Sequence, residues 1–138
     1  MRADFAIAAK RLSQKSLSLV VVKNGEVLFE TESHGLGDLI RAINQLKSSM
    51  KGSSVADRIV GRAAALLFVY SGVSAVFAVT ISDGGIEILK NNNVFHEFEK
   101  RVPRILNLKK TDVCPFEKLV AELSSPEVTY ERLKTRCI

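Results

Sequence analysis

Residues 17–30 read L-S-L-V-V-V-K-N-G-E-V-L-F-E and carry the clearest structural signal in the chain. Two runs of strand-forming residues, Leu17–Lys23 and Glu26–Glu30, are separated only by Asn24 and Gly25. Asn-Gly tolerates the positive φ angles of a type I′ turn, whose twist matches that of two paired strands. The stretch therefore predicts a β-hairpin near the N-terminus.

Helical periodicity flanks this hairpin on both sides. Apolar residues spaced three and four apart predict one helix over Asp4–Leu12 and another over about Leu36–Leu46. The small and polar residues of Lys47–Ser54 then predict a long mobile loop.

A second long helix is expected after that loop. Ser54 and Asp57 match a capping box, as the N-cap and the third helical residue, and apolar residues continue through about Val55–Tyr70. The continuous apolar run Ser74–Ile81 is typical of a central strand that is covered on both faces.

Helices and strands alternate in the rest of the chain. We expect a helix over about Gly85–Lys90 and a strand over Val102–Leu106, where Pro103 indicates an edge strand or the start of a strand. Two more helices are expected, from Thr111 or Asp112 to about Leu123 and from Pro126 to about Thr135. This order predicts an α/β protein with a mixed sheet and helices packed on its faces.

Composition narrows the class of protein further. The chain has 138 residues, of which 46% are apolar and 25% charged, with a net charge of +5, so we expect a single domain over residues 1–138. Its basic residues form no long run, which makes a nucleic-acid binder the less favoured class. No stretch is long and apolar enough to cross a membrane, and the two cysteines do not suggest a disulfide framework, so we expect a cytoplasmic protein.

A turn after the predicted central strand is the first candidate binding site. Ser82, Asp83, Gly84 and Gly85 follow that strand, and ligands of open α/β sheets bind at the carboxyl ends of strands. The glycines and the next helix N-terminus could hold an anion or a carbonyl oxygen. A simple helix cap explains the same residue types.

Two further candidates involve a cysteine and a carboxylate. Cys114 precedes Pro115, so its thiol is expected near a helix N-terminus that favours the thiolate of a nucleophile; a buried structural cysteine is the alternative. Asp57 could be an acid or base, with Arg58 and Gly61 contributing to ligand binding, although the capping box also accounts for Asp57.

No metal site or cofactor is expected. His34 and His96 show no metal-ligand spacing with each other or with the cysteines.

Three stretches together resemble a small prokaryotic family of unknown function with a cytidine-deaminase-like fold. They are V-A-D-R-I-V-G-R-A-A-A at residues 55–65, the hairpin, and V-P-R-I-L-N at 102–107 followed by C-P-F-E at 114–117. The resemblance covers roughly residues 15–120 and implies a three-layer α-β-α sandwich with a mixed sheet.

The resemblance also implies what the chain lacks. In deaminases a helix beginning H-A-E and a strand ending in P-C-x-x-C supply the zinc ligands and the general acid/base. The corresponding places here are expected at Val55-Ala56-Asp57 and Ser82-Asp83-Gly84-Gly85, which contain no His, Glu or Cys. The resemblance therefore implies a cleft at this rim without zinc-dependent deamination.

Three functions remain open on the sequence alone. The first is an enzyme acting on a nucleotide-like or other anionic small molecule, with Cys114 and Asp57 catalytic. The second is a non-catalytic binding or regulatory module that uses the same rim. The third is weak nucleic-acid binding, and a homodimer is compatible with each of them.

Overall fold

A five-stranded mixed sheet forms the centre of the molecule, for which a computed structural model describes residues 2–33, 35–107 and 110–136. The strand order is β2-β1-β3-β4-β5; β1 is antiparallel to both β2 and β3, and β3, β4 and β5 are parallel. The strands are β1 (Leu19–Lys23), β2 (Glu26–Thr31), β3 (Ser54–Val60), β4 (Ala75–Ser82) and β5 (Phe95–Val102).

Helices cover both faces of this sheet. Val20 and Val22 of β1 belong to a small apolar cluster beneath α1, whereas Leu19 and Val21 belong to the large core beneath the other helices. Alternate residues of a strand point to opposite faces, so the two clusters lie on opposite sides of the sheet. The helices are α1 (Arg2–Gln14), α2 (Leu36–Leu46), α3 (Arg62–Ser71), α4 (Asp83–Asn91), α5 (Pro115–Val120) and α6 (Pro126–Lys134). The expected α/β fold with three layers is confirmed.

The predicted hairpin is also confirmed, with a contact that the sequence did not suggest. Asn24 and Gly25 both adopt positive φ angles, 53° and 79°. Their backbone N–H groups donate to the carboxylate of Asp4, at 2.9 and 2.8 Å. The first helix is therefore tied to the turn of the hairpin.

The prediction of one long helix over Val55–Tyr70 is wrong. Residues Ser54–Val60 form β3, Gly61 breaks the chain, and α3 begins only at Arg62. Asp57 consequently lies in a strand and takes no part in a capping box. Residues 55–60 are mostly apolar because β3 is covered on both faces, and such a run fits a buried strand as well as a buried helix.

The loop expected over Lys47–Ser54 also differs. Lys47–Met50 form a short 3₁₀ helix, and the side chain of Met50 is fully buried in the core. Ser54 already belongs to β3.

The edge strand lies earlier in the chain than expected. This edge strand is β5. Within the range predicted as a strand, Val102 is the last residue of β5, and Leu106 forms only an isolated bridge with Val113. The sequence of β5, F-H-E-F-E-K-R-V, is rich in charge because one of its edges faces solvent, and this obscured the strand signal. Pro103 follows the strand immediately and helps to end it.

Candidate functional site

A cavity of about 760 Å³ lies at the carboxyl end of β3, between the starts of α2 and α3 and residues 105–107 and 114–117. Most of its wall consists of leucine, isoleucine and alanine side chains together with Phe116. Its polar lining residues are Ser18, Asp57, Arg58, Asn107, Cys114 and Glu117. The cavity therefore lies at the rim where open α/β sheets bind ligands.

Asp57 lines this cavity and has a raised pKa. It lies between Leu19 of β1 and Ala78 of β4, and its side chain is partly exposed, toward the cavity. Removal from bulk water raises its pKa to about 7, against hydrogen bonds from the backbone of Ile59 and Arg58 that favour the carboxylate. Within the described parts of the chain, no cationic side chain lies within 4.0 Å of this carboxylate.

Arg58, the next residue, does not neutralise Asp57. Its Nε donates to the carbonyl of Leu17 at 2.6 Å, and its Nη2 donates to the carbonyls of Leu12 and Lys15 at 3.1 and 3.2 Å. A cation is favoured at the end of a helix, where carbonyl groups lack helical partners. The guanidinium therefore stabilises the end of α1 and is held away from the carboxylate.

Glu117, which the sequence analysis did not single out, caps α3. Its Oε1 accepts from the backbone N–H of Arg62 at 2.7 Å, and its Oε2 accepts from that of Ala63 at 2.8 Å. A carboxylate is favoured at a helix N-terminus because it satisfies N–H groups that lack helical partners. Glu117 is more than fifty residues away in sequence, so no local pattern could have revealed this contact.

Gly61 makes room for that cap. A Cβ atom placed on Gly61 would overlap the carboxylate, at 2.8 Å from Oε2 and nearer still to the other carboxylate atoms. Gly61, expected to contribute to ligand binding, instead has a carboxylate of the same chain in the space beside it.

The side chain of Arg62 holds the far end of α5. Its Nε donates to the carbonyls of Val120 and Leu123 at 3.2 and 3.0 Å, and its Nη2 donates to Leu123 at 2.6 Å. Together with Glu117, these bonds attach both ends of α5 to the first residues of α3, beside the cavity.

Cys114 lies in the same cavity. It is half-buried and is the N-cap of α5, as the sequence predicts, and its backbone N–H donates to the carbonyl of Ile105 at 2.8 Å. The structure therefore brings Asp57, Arg58, Gly61 and Cys114 to one cavity.

The residues Ser82–Gly85 are not part of that cavity. Ser82 is buried, and its Oγ accepts from the backbone N–H of Gly85 at 3.0 Å, so it caps α4. Asp83 pairs with Arg101 at 2.7 Å on the surface. Gly84 packs against Arg62, and a Cβ on Gly85 would lie 2.9 Å from the carbonyl oxygen of Val60. Close packing of α4 accounts for these glycines.

The zinc site of a deaminase does not fit the residues that the structure describes. Val55, Ala56 and Asp57 lie in a strand and cannot begin a helix, so they are not the counterpart of H-A-E. Across residues 2–33, 35–107 and 110–136, no three His, Cys, Asp or Glu side chains are grouped so as to hold a metal ion. His34 and Cys137 lie outside the described residues.

Fold and site together define an α/β protein of deaminase-like fold with an apolar cavity at the end of its third strand. The chain is similar over 99% of its length to the crystal structure of a DUF1893 family protein (TM1506) from Thermotoga maritima, with 26% identity, a TM-score of 0.90 and 91% of that chain covered. The model of a domain of unknown function, DUF1893, matches residues 7–136, so the chain belongs to that family.

A more distant likeness concerns the fold alone. The chain matches RibD from Acinetobacter baumannii, a protein of deaminase-like fold, with 19% identity and a TM-score of 0.51. The match covers 86% of this chain but only 33% of RibD. A sequence comparison with the curated proteins finds no significant match. None of the helices in the described residues is long and apolar enough to span a membrane.

Proposed function

We propose that the cavity at the end of β3 binds a small, largely apolar molecule and that Asp57 binds its polar part. The observation that carries this proposal is a carboxylate that has no cationic partner among the described residues, in a cavity whose wall is mostly apolar. A volume of about 760 Å³ is within the range of small-molecule sites. A few placed polar groups in an apolar wall are typical of such sites.

The same carboxylate suits proton transfer. A group with a pKa of about 7 is present in both protonation states near neutral pH, which is the condition for general acid/base catalysis. In a reaction at this site, Asp57 would exchange a proton with the bound molecule. If the site only binds a molecule, the charge state of Asp57 would determine which protonation state of that molecule binds more tightly.

This proposal departs from the anionic ligand expected from sequence. The guanidinium of Arg58 is bonded to three carbonyl oxygens, and both oxygens of Glu117 accept from α3. Among the described residues, an anion would meet Asp57 with no cationic side chain within 4.0 Å of that carboxylate. We therefore favour a neutral or basic molecule, and a nucleobase-like ring is compatible with this lining.

A thermal-shift panel tests the proposal. It would compare nucleobases, nucleosides, nucleotides and sugar phosphates on the unaltered protein, on Asp57→Asn and on Ile59→Trp. The last variant enlarges a lining side chain that is 54% exposed and should reduce the space in the cavity. A ligand at about 100 times its Kd adds about 2.7 kcal/mol of stability, which moves Tm by several degrees. We expect uncharged or basic compounds to raise Tm, and both variants to lose the effect. Shifts that survive in both variants would contradict the proposal.

A second candidate function, covalent chemistry at Cys114, is favoured by its position in the same cavity as Asp57. A nucleophilic thiolate must be accessible as well as activated. Site-resolved mass spectrometry after a short iodoacetamide treatment would measure this directly. Labelling of Cys114 faster than a peptide of residues 110–120 supports a nucleophile, and slower labelling supports a structural cysteine.

A further inference from the structure

The charges around the cavity are unevenly satisfied. Of its two carboxylates, Glu117 is held by two backbone N–H groups at 2.7 and 2.8 Å. The cation of Arg58 is held by three backbone carbonyls. Asp57, by contrast, accepts from the backbone N–H of Ile59 only at 3.3 Å, and no cationic side chain of the described residues lies within 4.0 Å of it.

Asp57 also has capacity for further hydrogen bonds. Its Oδ1 accepts from the backbone N–H of Ile59 at 3.3 Å, which is long for such a bond. An ionised carboxylate offers about four acceptor positions and can accept two parallel N–H donors at once. The backbone of Ile59 and Arg58 accounts for at most two of these positions, so others remain for a molecule in the cavity.

The surrounding wall determines what else the molecule must be. Phe116, Leu36 and Leu39 line the cavity, and Ile59 and Leu106 add exposed apolar surface to it. A small, strongly hydrated ion such as ammonium would gain nothing from these side chains, whereas a flat apolar body would bury its surface against them. A planar cation can pair with the carboxylate through two parallel bonds, which are stronger than bonds between neutral groups.

Resting on the proposed function, we infer that the ligand class is an apolar ring or chain bearing a planar cationic group with two N–H donors, of the amidinium or protonated 2-aminoheterocycle type, bound by the carboxylate of Asp57.

Three probes of nearly equal shape test this inference: benzamidine, benzamide and benzoate. They differ in charge, being cationic, neutral and anionic, while sharing the same ring. Affinity would be measured by ligand-observed NMR on the full chain at neutral pH. We expect benzamidine to bind at least about tenfold more tightly than benzamide, equivalent to about 1.4 kcal/mol, and benzoate to bind most weakly.

Variants locate the binding. Asp57→Asn keeps the shape but removes the charge, so it should abolish the preference for benzamidine over benzamide. Asp83→Asn makes the same chemical change in a surface ion pair that does not line the cavity, and it should leave the preference intact. Ile59→Trp should weaken the binding of all three probes.

The outcomes separate this inference from the proposed function. Equal binding of the three probes, lost in Ile59→Trp but unaffected by Asp57→Asn, would overturn the ligand class while leaving the cavity as a binding site. A failure of benzamidine to bind at all would also overturn the ligand class. Binding that neither Asp57→Asn nor Ile59→Trp alters would overturn both.

Discussion

At the scale of single residues, the cavity depends on two carboxylates in opposite situations. Glu117 is satisfied by the N-terminus of α3, and its neighbour Gly61 has no side chain to displace it. Asp57 is poorly hydrated and has no cationic partner in the described residues, so its ionised form is disfavoured. The carboxylate of Glu117 therefore stabilises the fold, whereas the carboxylate of Asp57 lowers the stability of the protein when it is ionised.

Asp57 should make stability depend on pH. Its folded pKa of about 7 lies above the ordinary value of 3.8, so between these values the folded state keeps a proton that the unfolded chain releases. The free energy of unfolding should therefore fall as pH rises from about 4 to about 7 and change little above that, by a few kcal/mol at most given about 1.4 kcal/mol per pKa unit. Urea unfolding at about pH 5 and about pH 8 would measure this change.

Asp57→Asn is neutral at every pH and should remove that component of the pH dependence. The variant should be more stable than the unaltered protein at the higher pH. Asp83→Asn, in an exposed pair, is the control and should retain the slope. Equal slopes in all three proteins would contradict the raised pKa of Asp57.

Gly61→Ala should destabilise the protein because its Cβ overlaps the carboxylate of Glu117. We expect a loss of about 1–3 kcal/mol, the usual cost of overpacking. Glu117→Ala alone should cost about 1 kcal/mol as a lost helix cap. In the double variant the two losses should not add, and a double-mutant cycle from chemical unfolding would show the coupling. Simple additivity would mean that the two residues do not meet.

At the scale of elements, α5 is a short helix held mainly by its neighbours. It has six residues, and helices of this length are not stable alone. The side chain of Arg62 binds its carboxyl end, and the backbone of Arg62 binds Glu117. Because α5 carries Phe116 and follows Cys114, its attachment to α3 determines how that wall of the cavity is placed.

Arg62→Lys should loosen α5 while leaving the backbone cap in place. A lysine cannot reproduce the fork of donors that reaches Val120 and Leu123. We expect Cys114 to react several-fold faster with iodoacetamide and the amides of residues 115–120 to exchange faster. Arg101→Lys, in an exposed ion pair, is the matched control. Unchanged exchange in Arg62→Lys would show that other contacts hold the helix.

At the scale of the whole molecule, the sheet separates a large core from a small one. In the described residues, α1 is the helix that covers the small cluster, with Leu12 fully buried. The stacked rings of Tyr70 and Tyr130, 4.4 Å apart, lie in the layer on the other side. This arrangement offers a test of whether the chain unfolds as one unit.

Leu12→Ala should lower the stability by about 2–5 kcal/mol, as usual for a large side chain removed from a core. If the chain is a single domain, as we propose, the tyrosine fluorescence transition should shift as much as the circular dichroism transition does. Val128→Ala, at a position 40% exposed, should change neither. A tyrosine transition that stays in place would indicate two independent units.

The sequence by itself determined the elements whose signals are local. The hairpin follows from Asn24 and Gly25, α2 from its apolar stripe, and the start of α6 from Ser125 and Pro126. The deciding effects are tolerance of positive φ angles, apolar periodicity and helix capping. Each of them acts within a few residues of the chain. The alternation of helices and strands directed attention to the carboxyl ends of the strands, but the turn it selected, Ser82–Gly85, does not line the cavity.

Only the tertiary structure decided whether residues 54–60 form a helix or a strand, and which residues line the site. An apolar run is compatible with a helix or a strand until its neighbours are known, and here β1 and β4 supply the hydrogen-bonding partners of β3. The cap of Glu117 on α3 joins residues more than fifty positions apart. The acidity of Asp57 depends on how much water its surroundings exclude, and packing across the whole chain sets that quantity.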